Sequence, residues 1–170
     1  MTAKGYAACT QWLSRTPRRA KIFRWLFRLL PMAIAAMYAA VAIFLLCMDH
    51  KMKWRFLAVP AITFLAVTLL RKWLNFPRPY DQLKYTPFLS SQPGKGKSFP
   101  SRHTASASAI ALAFCQIHPF VGAVFIGFAA AVAVSRVIGG VHYIRDVVAG
   151  FFLPLYFCRY ILWDNLFFIR

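Results

Sequence analysis

Acidic residues are scarce in this 170-residue chain. It contains no glutamate and only four aspartates, against 21 lysines and arginines, so its formal net charge is +17. Four carboxylates spread along the chain cannot assemble a carboxylate-rich magnesium or two-metal site, and we therefore predict neither a metal nor a cofactor. The four cysteines are scattered without the CxxC spacing of a zinc or disulfide framework, which favours buried small apolar side chains.

Polar sequence is also too short to enclose a soluble core, because 60% of the residues are hydrophobic and 17% are aromatic. Five apolar runs cover residues 29–48, 56–70, 104–117, 120–138 and 147–163. A bilayer core of ~30 Å needs about 20 helical residues, and the second and third runs reach that length only with their polar ends. Interfacial anchors are expected near the run boundaries: Trp25, Trp54, Trp73 and Trp163. We predict an all-α fold, a polytopic transmembrane helical bundle of about five spans, in one domain over residues 1–170.

The first 28 residues interleave arginine and lysine with aromatic and aliphatic residues. This pattern predicts a basic amphipathic helix in the membrane interface, beginning near Thr16 and Pro17. The positive charges lie between apolar runs rather than along one polar face. We therefore expect anionic lipid headgroups of the bilayer and a phosphate-bearing lipid as partners, and no nucleic acid.

Three polar clusters border the apolar runs, at residues 71–79, 99–103 and 135–146. The second run ends at the first cluster, the third run begins at the second, and the fourth run ends at the third. Counting crossings places all three clusters on the same membrane face. Polar groups at membrane depth are costly and usually functional, so this convergence predicts an active site. A long polar loop, residues 75–102, joins the first two clusters.

Each cluster carries residue types that suit phosphate chemistry. Donors for phosphate oxygens come from Arg71, Arg78, Arg102, Arg136 and Ser101. His142 and Asp146 share one face if their stretch is helical, and such a carboxylate can orient an imidazole. His103 is left for proton transfer. Taken singly, each arginine could be an interfacial anchor and each histidine a satisfied interfacial side chain; the joint pattern favours a site.

The clusters resemble the three motifs of the type 2 phosphatidic acid phosphatase superfamily. The third motif is complete in Ser135-Arg136, His142 and Asp146. The second reads Pro100-Ser101-Arg102-His103, with arginine where the family has glycine. The first has Arg71, where lysine is usual, six residues before Arg78-Pro79, and Lys72 lies one position out of register. Both departures keep or add positive charge, and they put headgroup selectivity rather than phosphate binding in question.

The resemblance implies a metal-independent lipid phosphatase. By it, His142 attacks phosphorus to form a phosphohistidine, Asp146 orients His142, and His103 protonates the leaving oxygen. The four arginines and Ser101 would hold the phosphoryl oxygens. Candidate substrates are undecaprenyl diphosphate, phosphatidylglycerophosphate, phosphatidic acid and lipid A phosphates.

Two other functions stay open. One is a lipid phosphotransferase that uses the same intermediate, and the other is a catalytically silent membrane protein that keeps an anion site. The family places its active site outside the cytoplasm, so we expect a bacterial plasma-membrane protein with an extracytoplasmic site. Five spans would put the basic N-terminus on that same face, against the positive-inside tendency.

Overall fold

A computed structural model describes residues 1–88 and 96–163, with side chains as far as residue 159. It confirms the all-α fold, with helices and no strands among these residues. The helices are α1 (Ala3–Ser14), α2 (Pro17–Cys47), α3 (Lys53–Leu74), α4 (Pro79–Leu83), α5 (Arg102–Ile117), α6 (Pro119–Ile138) and α7 (Ile144–Trp163). The side chain of Trp163, predicted as an anchor, lies outside the described residues, as do Asp164 and residues 89–95 of the long loop.

Each predicted apolar run corresponds to one helix, α2, α3, α5, α6 or α7 in order, and only the first run extends past its helix, by one residue. Three described segments are long and apolar enough to cross a membrane: Pro17–Cys47, Lys53–Leu83 and Pro119–Ile138. Helix α5 has 16 residues, about 24 Å at 1.5 Å per residue, which is shorter than a bilayer core. The transmembrane bundle is therefore established, while the count of five spans stays a prediction.

Helix α5 is the centre of the bundle and packs against α3, α6 and α7. Its small side chains allow close approach: Ala109, Ala111 and Ala113 are fully buried. A Cβ on Gly150 of α7 would lie 2.7 Å from the Ser101 carbonyl oxygen, so glycine is needed where α7 crosses the start of α5. By contrast, large apolar side chains on the outer helices are exposed, including Phe64, Leu65 and Phe120. These outer faces suit contact with lipid.

The N-terminal region differs from the sequence prediction. A helix does begin at Pro17, but it continues through the first apolar run to Cys47, so the predicted end near residue 28 is wrong. The physical reason is that the basic and apolar parts adjoin without an intervening glycine or turn, and Pro31 does not end the helix. Pro31 is accommodated within α2, where its missing N–H leaves the carbonyl of Phe27 without its usual helical donor.

Two short helices, α1 and α4, were not expected from the apolar periodicity. Helix α1 begins at an N-cap, where the Thr2 hydroxyl accepts a hydrogen bond from the Gly5 N–H at 3.3 Å. It buries Tyr6 and Leu13 and packs against α2 and α6. The N-terminal segment is thus part of the packed bundle and not solely a surface helix.

Candidate active site

Four helix ends meet at one side of the bundle: the end of α3, the start of α5, the end of α6 and the start of α7. They surround a cavity of about 240 Å³ lined by Phe27, Arg71, Arg78, Arg102, His103, Arg136, Val141 and His142. The structure thus brings residues of all three predicted clusters together. Asp146 and Ser101 are fully buried and lie behind the wall of this cavity.

His142 lies between α6 and α7, and Asp146 lies in the first turn of α7. The His142 Nδ1 is 3.4 Å from the Asp146 Oδ2. Because a carboxylate only accepts hydrogen bonds, this contact favours the imidazole tautomer with its proton on Nδ1. The Nε2 lone pair is then free on a ring that lines the cavity, which is the arrangement a nucleophile needs.

The protonation state of His142 suits the same role. Burial lowers the pKa of His142 to about 4; the hydrogen bond to Asp146 opposes this shift, and the positive charge of Arg78 adds to it. The imidazole is therefore neutral at pH 7.

Ser98 is a site residue that sequence reasoning missed. It is fully buried, its hydroxyl donates to the Asp146 Oδ2, and its Oγ lies 3.5 Å from the His142 Nδ1. Its position directly before Phe99-Pro100 was the available signal, but the glycine- and lysine-rich stretch that precedes it favoured interpretation as a flexible loop. Ser98 extends the histidine–aspartate pair into a group of three.

The backbone also holds Asp146 in place. The Tyr143 N–H donates to the Asp146 Oδ2 at 3.1 Å, while the Asp146 carbonyl accepts from the Ser101 N–H at 2.9 Å. Ser101 itself accepts a hydrogen bond on its Oγ from the Thr104 hydroxyl at 3.0 Å. In this structure Ser101 connects α5 to α7, and its predicted contact with phosphate stays a prediction.

Arg71 and Arg78 reach the cavity from the end of α3 and from the start of α4. The Arg71 Nη1 donates to the carbonyl oxygens of Ser98 at 3.1 Å and Pro100 at 2.7 Å. The Arg78 Nε donates to the Gly96 carbonyl at 3.1 Å. Both arginines thereby fix the loop that carries Ser98. Lys72 is exposed, whereas Arg71 is buried and lines the cavity.

Arg136, in the last turn of α6, is positioned by α2. Its Nη2 donates at 2.8 Å to the Phe27 carbonyl, the group that Pro31 leaves without a helical donor. Its guanidinium carbon lies 3.7 Å from the centre of the Phe27 ring, within the range of a cation–π contact. The Arg136 Nε is buried and has no hydrogen-bond partner among the described residues. Arg136 therefore keeps one unsatisfied cationic donor beside the cavity, which suits an anion.

Arg102 and His103 occupy the first turn of α5, and both are exposed. The Arg102 guanidinium carbon lies 5.9 Å from the centre of the Phe64 ring, and Phe64 is on the exposed, apolar side of α3. Arg102 thus lies at the mouth of the cavity, toward the outer apolar surface. His103 and His142 are the two imidazoles that line this cavity, and imidazole is the side chain best suited to proton transfer near neutral pH.

The arrangement combines four guanidinium groups with a neutral imidazole that a buried carboxylate orients. Such a cavity can bind a phosphate group through charge-assisted hydrogen bonds while presenting a nucleophile to phosphorus. Within residues 1–88 and 96–163, no three His, Cys, Asp or Glu side chains form a group that could hold a metal ion. Metal independence itself stays a prediction.

Sequence comparison gives two results. The family model described as the PAP2 superfamily matches residues 52–169, which is more than half of the chain. Two curated relatives, each named lipid A 1-phosphatase, are 34% identical over 91 residues (Rhizobium etli) and 33% identical over 91 residues (Rhizobium johnstonii). Each match covers 51% of this chain, and 38% and 36% of the respective relatives. The matched region is thus little more than a third of each relative's length.

Two solved structures share the fold. The crystal structure of Aquifex aeolicus LpxE aligns with a TM-score of 0.72 at 22% identity, covering 94% of this chain and 93% of that one. A PAP2-type phosphatidylglycerolphosphate phosphatase from Bacillus subtilis aligns with a TM-score of 0.66 at 21% identity, covering 98% of this chain and 88% of that one. At these identities the likeness concerns the fold alone.

Proposed function

Since the chain belongs to the PAP2 superfamily, we propose that it is a lipid phosphatase that hydrolyses a phosphomonoester or diphosphate on a membrane lipid. The reaction proceeds through a phosphohistidine at His142 and uses no metal. The observation that supports this proposal most strongly is the neutral His142 imidazole, bonded to Asp146 on one side and lining an arginine-rich cavity.

In the first step, the His142 Nε2 attacks phosphorus and forms a P–N bond while the P–O bond to the lipid breaks. Burial and the positive charge of Arg136 lower the pKa of His103 to about 3, and the negative charge of the bound phosphate group raises it again, so that His103 enters this step as an imidazolium. The leaving oxygen takes a proton from His103 and departs as the lipid alcohol, or as the lipid monophosphate when the substrate is a diphosphate. The His142 ring becomes cationic, and the Asp146 carboxylate stabilises it. Arg71, Arg78 and Arg136 bind the phosphoryl oxygens as charge develops on them.

In the second step, water attacks phosphorus and transfers a proton to His103, which now acts as a base. The P–N bond breaks, inorganic phosphate leaves, and His142 returns to its neutral form. His103 regains in this step the proton that it gave in the first, so the cycle is balanced. An acceptor lipid in place of water would turn the same cycle into phosphotransfer, which is the alternative activity.

Lipid A phosphorylated at its 1-position is the first substrate to test, because the curated relatives carry that activity in their names. Phosphatidylglycerophosphate is the second, from the name of the structural neighbour of Bacillus subtilis. Undecaprenyl diphosphate and phosphatidic acid complete the panel. We further propose that the cavity faces the extracytoplasmic side of a bacterial plasma membrane, as the family resemblance implies.

The test is phosphate release from these four lipids by the purified protein in detergent with excess EDTA. We expect release from at least one lipid, and no release by a folded His142→Ala protein. An acceptor alcohol added to a parallel reaction separates hydrolysis from transfer through the products. A wild-type protein inactive on all four lipids, with or without added magnesium, would contradict the proposed function.

A further inference from the structure

The nucleophile lies in a short turn that side chains alone do not fix. Gly139 and Gly140 precede Val141 and His142 between α6 and α7, and Gly140 has a φ of +74°, which favours glycine. Two backbone bonds close the turn: the Gly140 N–H donates to the Val137 carbonyl at 3.0 Å, and the Val141 N–H donates to the Arg136 carbonyl at 3.1 Å. The carbonyls of Gly140 and His142 point away from these bonds and need other donors.

Two phenol groups supply those donors. The Tyr85 hydroxyl donates to the Gly140 carbonyl at 2.6 Å, and the Tyr6 hydroxyl donates to the His142 carbonyl at 3.2 Å. A Cβ on Gly140 would lie 3.0 Å from the Tyr85 ring, so the turn and the ring are in close contact. Tyr6 belongs to α1, a helix that carries none of the three motifs.

The tyrosines also pack on one another. The rings of Tyr6 and Tyr85 stack with centroids 5.2 Å apart and planes 6° from parallel. The Tyr143 ring meets Tyr6 edge-on at 6.4 Å, and its hydroxyl donates to the Gln82 Oε1 at 2.6 Å. Tyr6 is fully buried in this group. Burial raises the pKa of Tyr6 to about 12, so its hydroxyl stays protonated and able to donate at any working pH.

We infer that Tyr6 is a positioning residue for the nucleophile and that α1 therefore contributes to the geometry of the active site. This inference rests on the proposed role of His142. The Asp146 carboxylate fixes the His142 ring from its Nδ1 side, and the Tyr6 hydroxyl fixes the same residue through its backbone carbonyl. Both constraints are needed because a turn with two consecutive glycines has wide backbone freedom. A misplacement of about 1 Å in a reacting group can cost about 100-fold in rate.

The experiment compares Tyr6→Phe with Tyr38→Phe. Tyr38 serves as the control because it is partly buried against the bundle core, away from the cavity. Its hydroxyl donates to the Phe56 carbonyl at 3.5 Å, and its ring stacks on Phe56 at 5.0 Å. Each change removes one phenol–carbonyl bond and keeps a stacked ring. We expect Tyr6→Phe to lower kcat roughly tenfold with little change in KM, since one positioning hydrogen bond is lost. Tyr38→Phe should leave kcat at the wild-type value.

Thermal unfolding in detergent and the rate of phosphohistidine formation in a single turnover complete the comparison. The inference requires that the single-turnover rate of Tyr6→Phe falls with kcat while its unfolding temperature matches that of Tyr38→Phe. Tyr85→Phe, which removes the neighbouring donor to Gly140, tests the same turn if Tyr6→Phe gives little folded protein. The inference is overturned if Tyr6→Phe and Tyr85→Phe both keep wild-type kcat, or if they lose activity only in proportion to folded protein. A wild-type protein without phosphatase activity would instead refute the proposed function.

Discussion

Replacing Ser98 with alanine is the change that tests the site geometry most sharply, because the sequence motifs do not include this residue. The Ser98 hydroxyl is one of three donors directed at the Asp146 Oδ2, with the Tyr143 N–H at 3.1 Å and the His142 Nδ1 at 3.4 Å as the others. Its loss leaves the buried Asp146 Oδ2 with two hydrogen-bond donors. The position of Asp146, and with it the orientation of the His142 ring, is then less well defined.

The magnitude follows from the type of bond. A hydrogen bond to a charged group contributes about 1.5–3 kcal/mol, and a water molecule that replaced the hydroxyl would recover part of that. If the free energy of this hydrogen bond is lost from the transition state, kcat/KM should fall roughly 10- to 100-fold, at about 1.4 kcal/mol for each factor of ten. The pKa of His142 should also rise from its value of about 4, because a carboxylate with one donor fewer binds the imidazolium more strongly.

Ser108→Ala is the matched control for Ser98→Ala. Ser108 is also buried, and its hydroxyl donates to the Phe151 carbonyl at 2.7 Å, within the bundle and away from the cavity. The assay is kcat/KM on one lipid phosphate, with thermal unfolding measured for both variants. We expect both variants to fold, a larger cost in stability for Ser98→Ala because its bond is to a charged group, and a loss of kcat/KM in Ser98→Ala alone. Equal kcat/KM for the two folded variants would refute the assigned role of Ser98.

Three further predictions concern residues that the sequence motifs do include. Arg71→Ala should lose several kcal/mol of transition-state stabilisation, measured as a fall in kcat/KM, while Arg71→Lys should keep measurable activity. Lys72→Ala should change kcat/KM little. A larger loss in Lys72→Ala than in Arg71→Ala would show that Lys72, and not Arg71, is the first residue of the first motif. His103→Ala should lower the rate on a lipid substrate by a factor on the order of 10²–10⁴. With p-nitrophenyl phosphate, whose leaving group needs no proton, part of that loss should be recovered. An equal loss of rate with both substrates, when formation of the phosphohistidine limits the rate, would show that His103 has a structural role. The pKa of His142 is lowered to about 4, so NMR of the labelled protein should show this ring neutral down to about pH 5. The His142 signal is assigned by its absence from His142→Ala. A titration midpoint above pH 6 would contradict the lowered pKa.

Much of the fold followed from the sequence, because apolar runs bounded by charge have few alternatives in a membrane protein. Helix α6, Pro119–Ile138, begins one residue before its apolar run and ends with it. The N-terminal region was harder. A basic segment and an apolar run can form one helix or two, and composition does not decide between them; α2 is continuous from Pro17 to Cys47. Helix α1 is placed by long-range contacts of Tyr6 that no local pattern carries.

In the site, too, residues that belong to local sequence patterns were predictable, and residues held by long-range contacts were not. The arginines and histidines that line the cavity were predictable because their motifs lie at helix ends on one face of the bundle, whereas Phe27 and Val141 belong to no such set of polar residues. Ser98 was not predictable, because its partner Asp146 is 48 positions away and the polar loop that carries Ser98 has no periodicity. The contact of Arg136 with the Phe27 carbonyl depends on Pro31, whose effect on α2 can be read from the sequence only once the helix is known to continue through it.

The central claim is that His142 carries the phosphoryl group during turnover, and acid–base stability of a trapped intermediate tests it most directly. Wild-type protein is mixed with a lipid substrate that carries a radiolabelled phosphate, quenched within one turnover, and digested for peptide mapping. The account predicts a label that is stable in alkali, lost in acid and located on the peptide containing His142, and that is absent from folded His142→Ala. A label on another residue, or turnover by folded His142→Ala, would contradict it.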